Sequence, residues 1–307
     1  AGPVAGGLLI ASIGWRSIFF VNLPLGIFGI WLTWRYAEES TPSRHRALDI
    51  AGQLIGMLAL AALAVAMIEG GVLGWKHPVV LATFLLFALS SVAFVFVEAK
   101  SDSPMLPLVL FKNQTFSAAT LIGLLINISF YGLIFMLSLY FQQVRNYSPL
   151  ATGLAFLPMT GVVLASNLLA GPVTGRLGLR TPILIGQALL AGGCLCLIRI
   201  SQSTSYLELG GQLLAIGAGL GLTVPPMTSA LLGTVDRKLS GVASGVLNAS
   251  RQAGSVIGVA LFGSLIARHR PFVPGIRMAL MISVGMLLAG CLSAFLIRPR
   301  STKPRAA

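Results

Sequence analysis

Three polar residues interrupt an apolar stretch near the C-terminus, SGVASGVLNASRQAGSVIGVALFG at 240–263. Asn248, Arg251 and Gln252 follow the i, i+3, i+4 spacing, which places them on one face of a helix. An arginine at the centre of a bilayer costs about 2.5–3.5 kcal/mol on insertion scales, so it needs water or a partner. The face is therefore predicted either to line a water-filled cavity or to clamp onto backbone carbonyls or another helix. The spacing leaves both open.

A second polar face is predicted in the apolar segment 114–141. Its polar members are Asn127, Tyr131, Ser138 and Gln142, and they are flanked by Phe130, Phe135 and Met136. Aromatic and methionine side chains beside a few amides suit a site for bulky, varied apolar ligands. Ordinary helix packing accounts for any one of these residues taken singly, so the prediction rests on the set.

Glu69 is the candidate proton site in the sequence. It lies near one end of an apolar segment, just before GGVLGWKHP. A carboxyl group at a membrane boundary can exchange protons, although plain solvation is the more common role. Glu98 and Glu208 also stand at segment ends and are interpreted as solvated.

The sequence lacks the motifs of enzymes and metal sites. It contains no P-loop, no HExxH and no GxSxG, and its three histidines lie in or beside predicted loops. The three cysteines lie in apolar segments and are interpreted as packing residues. The protein is therefore predicted not to be an enzyme and to need no metal or cofactor.

The composition indicates that lipid surrounds the chain. Of the 307 residues, 56% are hydrophobic and 9% are charged, whereas soluble domains carry about 25% charged residues. A net charge of +13 would suggest nucleic acid for a soluble protein. Here almost all of the lysines and arginines occupy short gaps between apolar segments, where membrane topology requires them. The bilayer is therefore the predicted partner, and no binding to nucleic acid is predicted.

Segments of about 20 apolar residues predict membrane-spanning helices. The nine complete candidates lie at about 16–36, 48–70, 78–98, 114–141, 150–173, 181–200, 206–232, 242–267 and 276–297. Residues 1–14 look like the end of one more. The predicted fold class is an all-α polytopic membrane protein.

The basic residues predict the orientation. Thirteen lysines and arginines fall on one side of the predicted membrane and seven on the other. The richer side is cytoplasmic by the positive-inside rule, which places the tail RPRSTKPR in the cytoplasm.

Glycine patterns predict close helix packing. GxxxG spacing lets helix backbones approach each other, and it occurs at Gly52/Gly56, Gly241/Gly245 and Gly254/Gly258. The run GGQLLAIGAGLGLTVPP at 210–226 is interpreted as a bendable helix of the kind that lines transport sites.

Three stretches together resemble the major facilitator superfamily. AGPVAGG at the start, followed by GWRSIFFVNLPLGIFGI at 14–30, resembles the family's antiporter motif and the start of the next helix. GPVTGRLGLR at 171–180 is similar to its cytoplasmic loop signature. The stretch at 240–261 is similar to the penultimate helix of the fourteen-helix drug:proton antiporters.

The resemblance implies an organisation in which residues 1–14 end the fifth helix and the first four family helices are absent. Residues 1–36 would be a remnant of the N-terminal six-helix bundle, and 37–113 a linker with two inserted transmembrane helices. Residues 114–297 would form the C-terminal six-helix bundle, and 298–307 a cytoplasmic tail. The chain is accordingly expected to be N-terminally truncated.

The resemblance also implies roles for two motifs. The loop motif comprises Gly175, Arg176, Gly178 and Arg180, and the antiporter-type motif comprises Gly2, Pro3, Gly6 and Gly7. In the loop, the glycines are expected to permit a tight turn and the arginines to latch helices in the outward-facing state, with topology alone as the alternative. The second motif is expected to seal a helix contact against proton leak.

The function implied is proton-coupled multidrug efflux across the cell membrane by alternating access, driven by the proton gradient. Expected substrates are small amphiphilic compounds, often cationic. The family's proton-carrying acids commonly lie in the N-terminal half, so these 307 residues alone are not expected to catalyse coupled transport. The alternatives are a transporter of the same fold for a siderophore, sugar or secondary metabolite, and a non-transporting fragment or pseudogene product.

The orientation can be tested by labelling with reagents that do not cross membranes. Arg176, Arg180 and the tail residues should be modified from the same face of the bilayer. If the loop and the tail react from opposite faces, the predicted arrangement of spans is wrong.

Overall fold

The computed structural model describes residues 2–36, 49–101, 104–201, 203–268 and 272–297. Within these ranges every regular element is a helix. The helices are α1 Gly2–Ser12, α2 Ser17–Phe20, α3 Asn22–Tyr36, α4 Ile50–Val72, α5 Pro78–Lys100, α6 Gln114–Leu139, α7 Pro149–Ala155, α8 Leu157–Leu177, α9 Arg180–Leu197, α10 Tyr206–Leu232, α11 Ser240–Arg268 and α12 Phe272–Ala294. Short 3-10 helices span Leu108–Lys112 and Arg237–Leu239, and a π-helical turn spans Tyr140–Val144.

The all-helical membrane class is confirmed. Nine helical segments among the described residues are long and apolar enough to cross a bilayer. The first combines α2 and α3, and the fifth combines α7 and α8. Helix α1 corresponds to the predicted helix end at 1–14, and α3 buries none of its residues.

Side-chain caps set the starts of several helices. Asn113 begins α6 by accepting a hydrogen bond from the Thr115 backbone N–H at 2.9 Å. The hydroxyl of Ser205 accepts from the Glu208 N–H, and the Glu208 carboxylate accepts from the Ser205 N–H. This reciprocal capping box gives Glu208 a local structural role, whereas the sequence suggested solvation alone.

Helices α6 and α11 form the most extensive contact in the bundle, and glycines bring their backbones together. A Cβ atom on Gly254 would lie 2.5 Å from the Leu124 carbonyl oxygen, and one on Gly258 would lie 2.9 Å from the Ile128 Cα. The predicted close approach at this GxxxG pair is therefore confirmed.

The other two predicted pairs differ from it. A Cβ on Gly241 or Gly245 would have no neighbour within 4 Å in the described part of the chain, so this pair makes no close helix contact there. At Gly56 a Cβ would lie 3.3 Å from the Phe94 ring, which places this glycine between α4 and α5.

The glycine-rich run lies in α10, which is one unbroken helix packed between α8 and α9. A Cβ on Gly217 would lie 2.5 Å from the Met159 carbonyl oxygen of α8. A Cβ on Gly219 would lie 2.7 Å from the Leu190 nitrogen of α9. Alternate glycines of α10 therefore allow α8 and α9 to pack closely on two sides. Close packing explains the glycine-rich run, whose sequence suggested a bendable helix.

The hairpin of α4 and α5 docks onto the bundle through α11. At this contact a Cβ on Gly71 would lie 3.6 Å from the Ser264 Cβ. At the opposite end of the hairpin Glu98 is only 3% exposed. The interpretation of Glu98 as a solvated residue is therefore wrong, because α4 and the chain after α5 cover it.

Replacement of Gly254 by alanine should destabilise the protein. The added methyl group overlaps the α6 backbone, and overpacking of this kind costs about 1–3 kcal/mol. Gly245→Ala is the matched control on the same helix, because its methyl group meets open space. Thermal unfolding in detergent should show a lower midpoint for Gly254→Ala only, and equal midpoints for the two variants would contradict the packing described.

Candidate substrate groove

A groove of about 600 Å³ lies between α4, α6 and α11. It is lined by Ile68, Gly71 and Val72 of α4, Tyr131 and Phe135 of α6, and Ser255, Val256, Val259, Ala260, Gly263 and Ser264 of α11. The lining is mainly apolar, with three hydroxyl groups. Such a surface binds apolar bodies through burial and orients them through a few hydrogen bonds.

The aromatic residues that line the groove, Tyr131 and Phe135, pack against neighbouring side chains. The Phe130 and Tyr131 rings meet edge to face at 5.6 Å, and Phe130 packs on the core of the bundle. A Cβ on Gly263 would lie 3.1 Å from the Phe135 ring. The small residues of α11 therefore leave room for the rings of α6, and Tyr131 remains 42% exposed toward the groove.

Arg251 lies on the α11 turn that precedes the groove residue Ser255. Its Cγ would lie 3.4 Å from a Cβ on Gly123, so its stem rests against α6. Its Nε is buried and has no hydrogen-bond partner in the described structure. Asn248 and Gln252 are exposed beside it. Neither these two residues nor Arg251 is among the described residues that line the groove; all three lie on the part of α11 that precedes it.

The predicted face of α6 is only partly brought together. Asn127 is 5% exposed and donates a hydrogen bond to the Gly123 carbonyl oxygen at 2.7 Å. A Cβ on Gly254 would lie 3.1 Å from the Asn127 Cβ, so this residue sits in the α6–α11 contact. Gln142 is exposed in the π-helical turn. The prediction assumed 3.6 residues per turn up to Gln142, but this spacing ends where the π-helical turn begins.

Glu69 is half-buried in α4, next to the groove residue Ile68, and it does not belong to the lining. Its role as a proton site remains a prediction.

The loop motif divides between a turn and two helices. Gly178 ends α8 with φ of +76°, a conformation that favours glycine, and donates its N–H to the Thr174 carbonyl oxygen at 2.9 Å. Gly175 lies inside α8, so the expectation that it helps form the turn is wrong. Arg180 stacks over the Phe295 ring at 4.4 Å, whereas Arg176 is exposed.

The antiporter-type motif lies in α1, which packs against α7. A Cβ on Gly7 would lie 2.9 Å from the Pro149 carbonyl oxygen. The same position at Gly2 and Gly6 has no neighbour within 4 Å among the residues described. Pro3 belongs to the same helix. One of the three glycines therefore makes a close backbone contact.

Sequence reasoning missed the groove residues of α4 and all six of those of α11. Ile68, Val259 and Ala260 are ordinary apolar residues of a span, and no motif distinguishes them. Their role follows from the docking of the hairpin, which a single span does not reveal.

These features define a multi-pass membrane protein whose packed helices enclose an amphipathic groove. The chain belongs to the Major Facilitator Superfamily, whose family model matches residues 1–259. Family membership confirms the predicted class, a protein of a transporter family and not an enzyme.

Named relatives are drug-resistance proteins. The multidrug resistance protein Stp of Mycobacterium tuberculosis is 38% identical over 266 residues, which cover 87% of this chain and 49% of Stp. The methylenomycin A resistance protein of Streptomyces coelicolor is 36% identical over 296 residues, 96% of this chain and 62% of that protein. A methylenomycin A resistance protein of Bacillus subtilis is 34% identical over 95% of this chain and 63% of its own length. The chain thus spans about half to under two thirds of these relatives.

Replacement of Tyr131 by alanine should weaken the binding of a hydrophobic fluorescent dye about two- to twelvefold, because an aromatic contact contributes about 0.5–1.5 kcal/mol. Leu121→Ala is the matched control, since Leu121 is also 42% exposed on α6 but does not line the groove. Fluorescence anisotropy with the purified chain measures both. Equal affinities for the two variants would show that the dye binds elsewhere.

Proposed function

We propose that this protein is a secondary active transporter that exports small amphiphilic compounds across the cell membrane by alternating access. The observation that carries the proposal is the groove between α4, α6 and α11, which has a mainly apolar lining. Its lining residue Ser255 follows Arg251 by one turn of α11. A molecule with an apolar body and a polar end fits this order of surfaces. The names of the relatives, which describe multidrug resistance and methylenomycin A resistance, support export as the direction.

The chemistry of the groove narrows the substrates. Arg251, one turn of α11 before the lining residue Ser255, carries an Nε donor with no hydrogen-bond partner among the described residues. We therefore infer that substrates present a hydrogen-bond acceptor or a negative group at that end. Cationic substrates, which the family resemblance suggested, would need carboxylates from outside this groove, because none lines its described part. A sugar suits the lining poorly, since its hydroxyl groups would lose water without gaining partners.

The energy source is proposed to be the proton gradient, without a cofactor. In this scheme the Arg176 side of the loop motif contacts the other half of the carrier on the cytoplasmic side. The contact of Gly7 with α7 seals the opposite side. The C-terminal tail then lies in the cytoplasm, as the distribution of basic residues predicts.

Arg251→Ala should reduce export about tenfold or more, because a hydrogen bond to a charged group contributes about 1.5–3 kcal/mol. The protein should be expressed from its complete gene in a drug-sensitive host, and dye efflux measured in everted vesicles. Arg237→Ala, an exposed arginine between α10 and α11, is the control and should leave efflux unchanged.

Two outcomes would contradict the proposal. Wild-type efflux by Arg251→Ala, at matched expression, would remove this residue from the substrate path. Efflux that persists after a protonophore has collapsed the gradient would exclude proton coupling.

A further inference from the structure

Two acidic residues lie at the same end of the α4–α5 hairpin. Asp49 precedes the first turn of α4, and Glu98 lies in the last turn of α5. This is the end remote from the groove and the one predicted to face the cytoplasm. Because the helices are antiparallel neighbours, the carboxyl groups face each other across the hairpin.

Each carboxyl group uses one oxygen to hold the backbone. Asp49 Oδ1 accepts a hydrogen bond from the Gly52 N–H at 2.7 Å and caps α4. Glu98 Oε2 accepts from the Leu106 N–H at 3.0 Å and thereby holds the segment that leads from α5 toward α6. The remaining oxygens, Asp49 Oδ2 and Glu98 Oε1, are buried and have no hydrogen-bond partner among the residues that the structure describes.

The two unpartnered oxygens converge above Gly52. A Cβ atom on this glycine would lie 2.7 Å from Asp49 Oδ2 and 2.8 Å from Glu98 Oε1. Both oxygens therefore border the space that a side chain at Gly52 would fill.

No basic residue in the described part of the hairpin neutralises the pair. Lys100 lies over the Phe96 ring at 4.1 Å, and Lys112, in the 3-10 helix after α5, is exposed. On α4 the other acidic residue, Glu69, lies at the opposite end of the helix.

We propose that Asp49 and Glu98 form a proton-binding site, in which one proton taken from water joins Glu98 Oε1 to Asp49 Oδ2. Two like charges this close in a buried site repel each other, and a shared proton removes one charge. The resulting O–H···O⁻ bond gives both unpartnered oxygens a partner, and charge-assisted bonds of this type are among the strongest in proteins. Loss of the proton restores both charges and leaves two buried oxygens unpaired.

The bound proton stabilises the hairpin. It joins the start of α4 to the end of α5, and through Leu106 it holds the chain that enters α6, the helix that carries Tyr131. Deprotonation separates the carboxyl groups and loosens the hold on Leu106. The site is distinct from Glu69, and it does not depend on which compounds the protein transports.

Infrared difference spectroscopy on the purified full chain tests the proposal, because the sequence contains only eight aspartates and glutamates. At neutral pH the wild type should show a C=O stretching band of a protonated carboxylic acid that shifts in D₂O. Glu98→Gln and Asp49→Asn should abolish the band. Both variants keep the acceptors for Leu106 and Gly52 and supply an amide donor to the remaining carboxylate, so the fold is retained. Glu69→Gln is the control and should keep the band.

Hydrogen exchange in the unmodified chain gives a second measurement. Protection of the Leu106 amide should fall at alkaline pH relative to the Leu110 amide, which donates to the Pro107 carbonyl oxygen at 3.0 Å and involves no carboxylate. In Glu98→Gln the ratio of the Leu106 to the Leu110 exchange rate should not change with pH. A wild type without the protonated band, a band that survives Glu98→Gln or disappears in Glu69→Gln, or a constant exchange ratio in the wild type would overturn the proposal.

Discussion

The close approach of α6 and α11 is the contact on which the rest of the structure depends. In lipid, helices gain little from burying apolar side chains against each other, so their association relies on close packing of backbones. Gly254 and Gly258 of α11 allow this close packing against α6. On α6, Gly123 and Gly132 leave room for residues of α11. The spacing between the two helices sets the depth of the groove and the position of Arg251 against α6.

The hairpin of α4 and α5 completes the groove without contributing a polar side chain to it. Ile68, Gly71 and Val72 form one wall, and they lie there because α4 docks on α11. A structural link therefore runs from the hairpin to the aromatic residues of α6. The Asp49–Glu98 pair lies at the other end of α4 and α5. It is connected to α6 through the hydrogen bond from Leu106 to Glu98.

Several buried polar groups of the bundle hydrogen-bond to their own helix. The Asn127 amide donates to the Gly123 carbonyl, and the Thr223 hydroxyl donates to the Gly219 carbonyl at 2.7 Å. Such local bonds satisfy a polar side chain in a low-dielectric interior at little cost. Arg251 Nε and the two carboxylate oxygens are among the buried polar atoms that have no such bond within the described residues, and they are the ones that belong to ionisable side chains, to which we assign substrate and proton binding.

The sequence by itself determined the all-helical membrane fold, since stretches of about 20 apolar residues admit no other solution in lipid. It also identified the Gly254/Gly258 contact, the turn at Gly178 and the polar face around Arg251, because these depend on spacing within one helix. Only the tertiary structure placed Asn127 in a helix contact and Glu98 beside Asp49. Those positions depend on which helices become neighbours, and residues about 50 positions apart carry no local signal of that pairing.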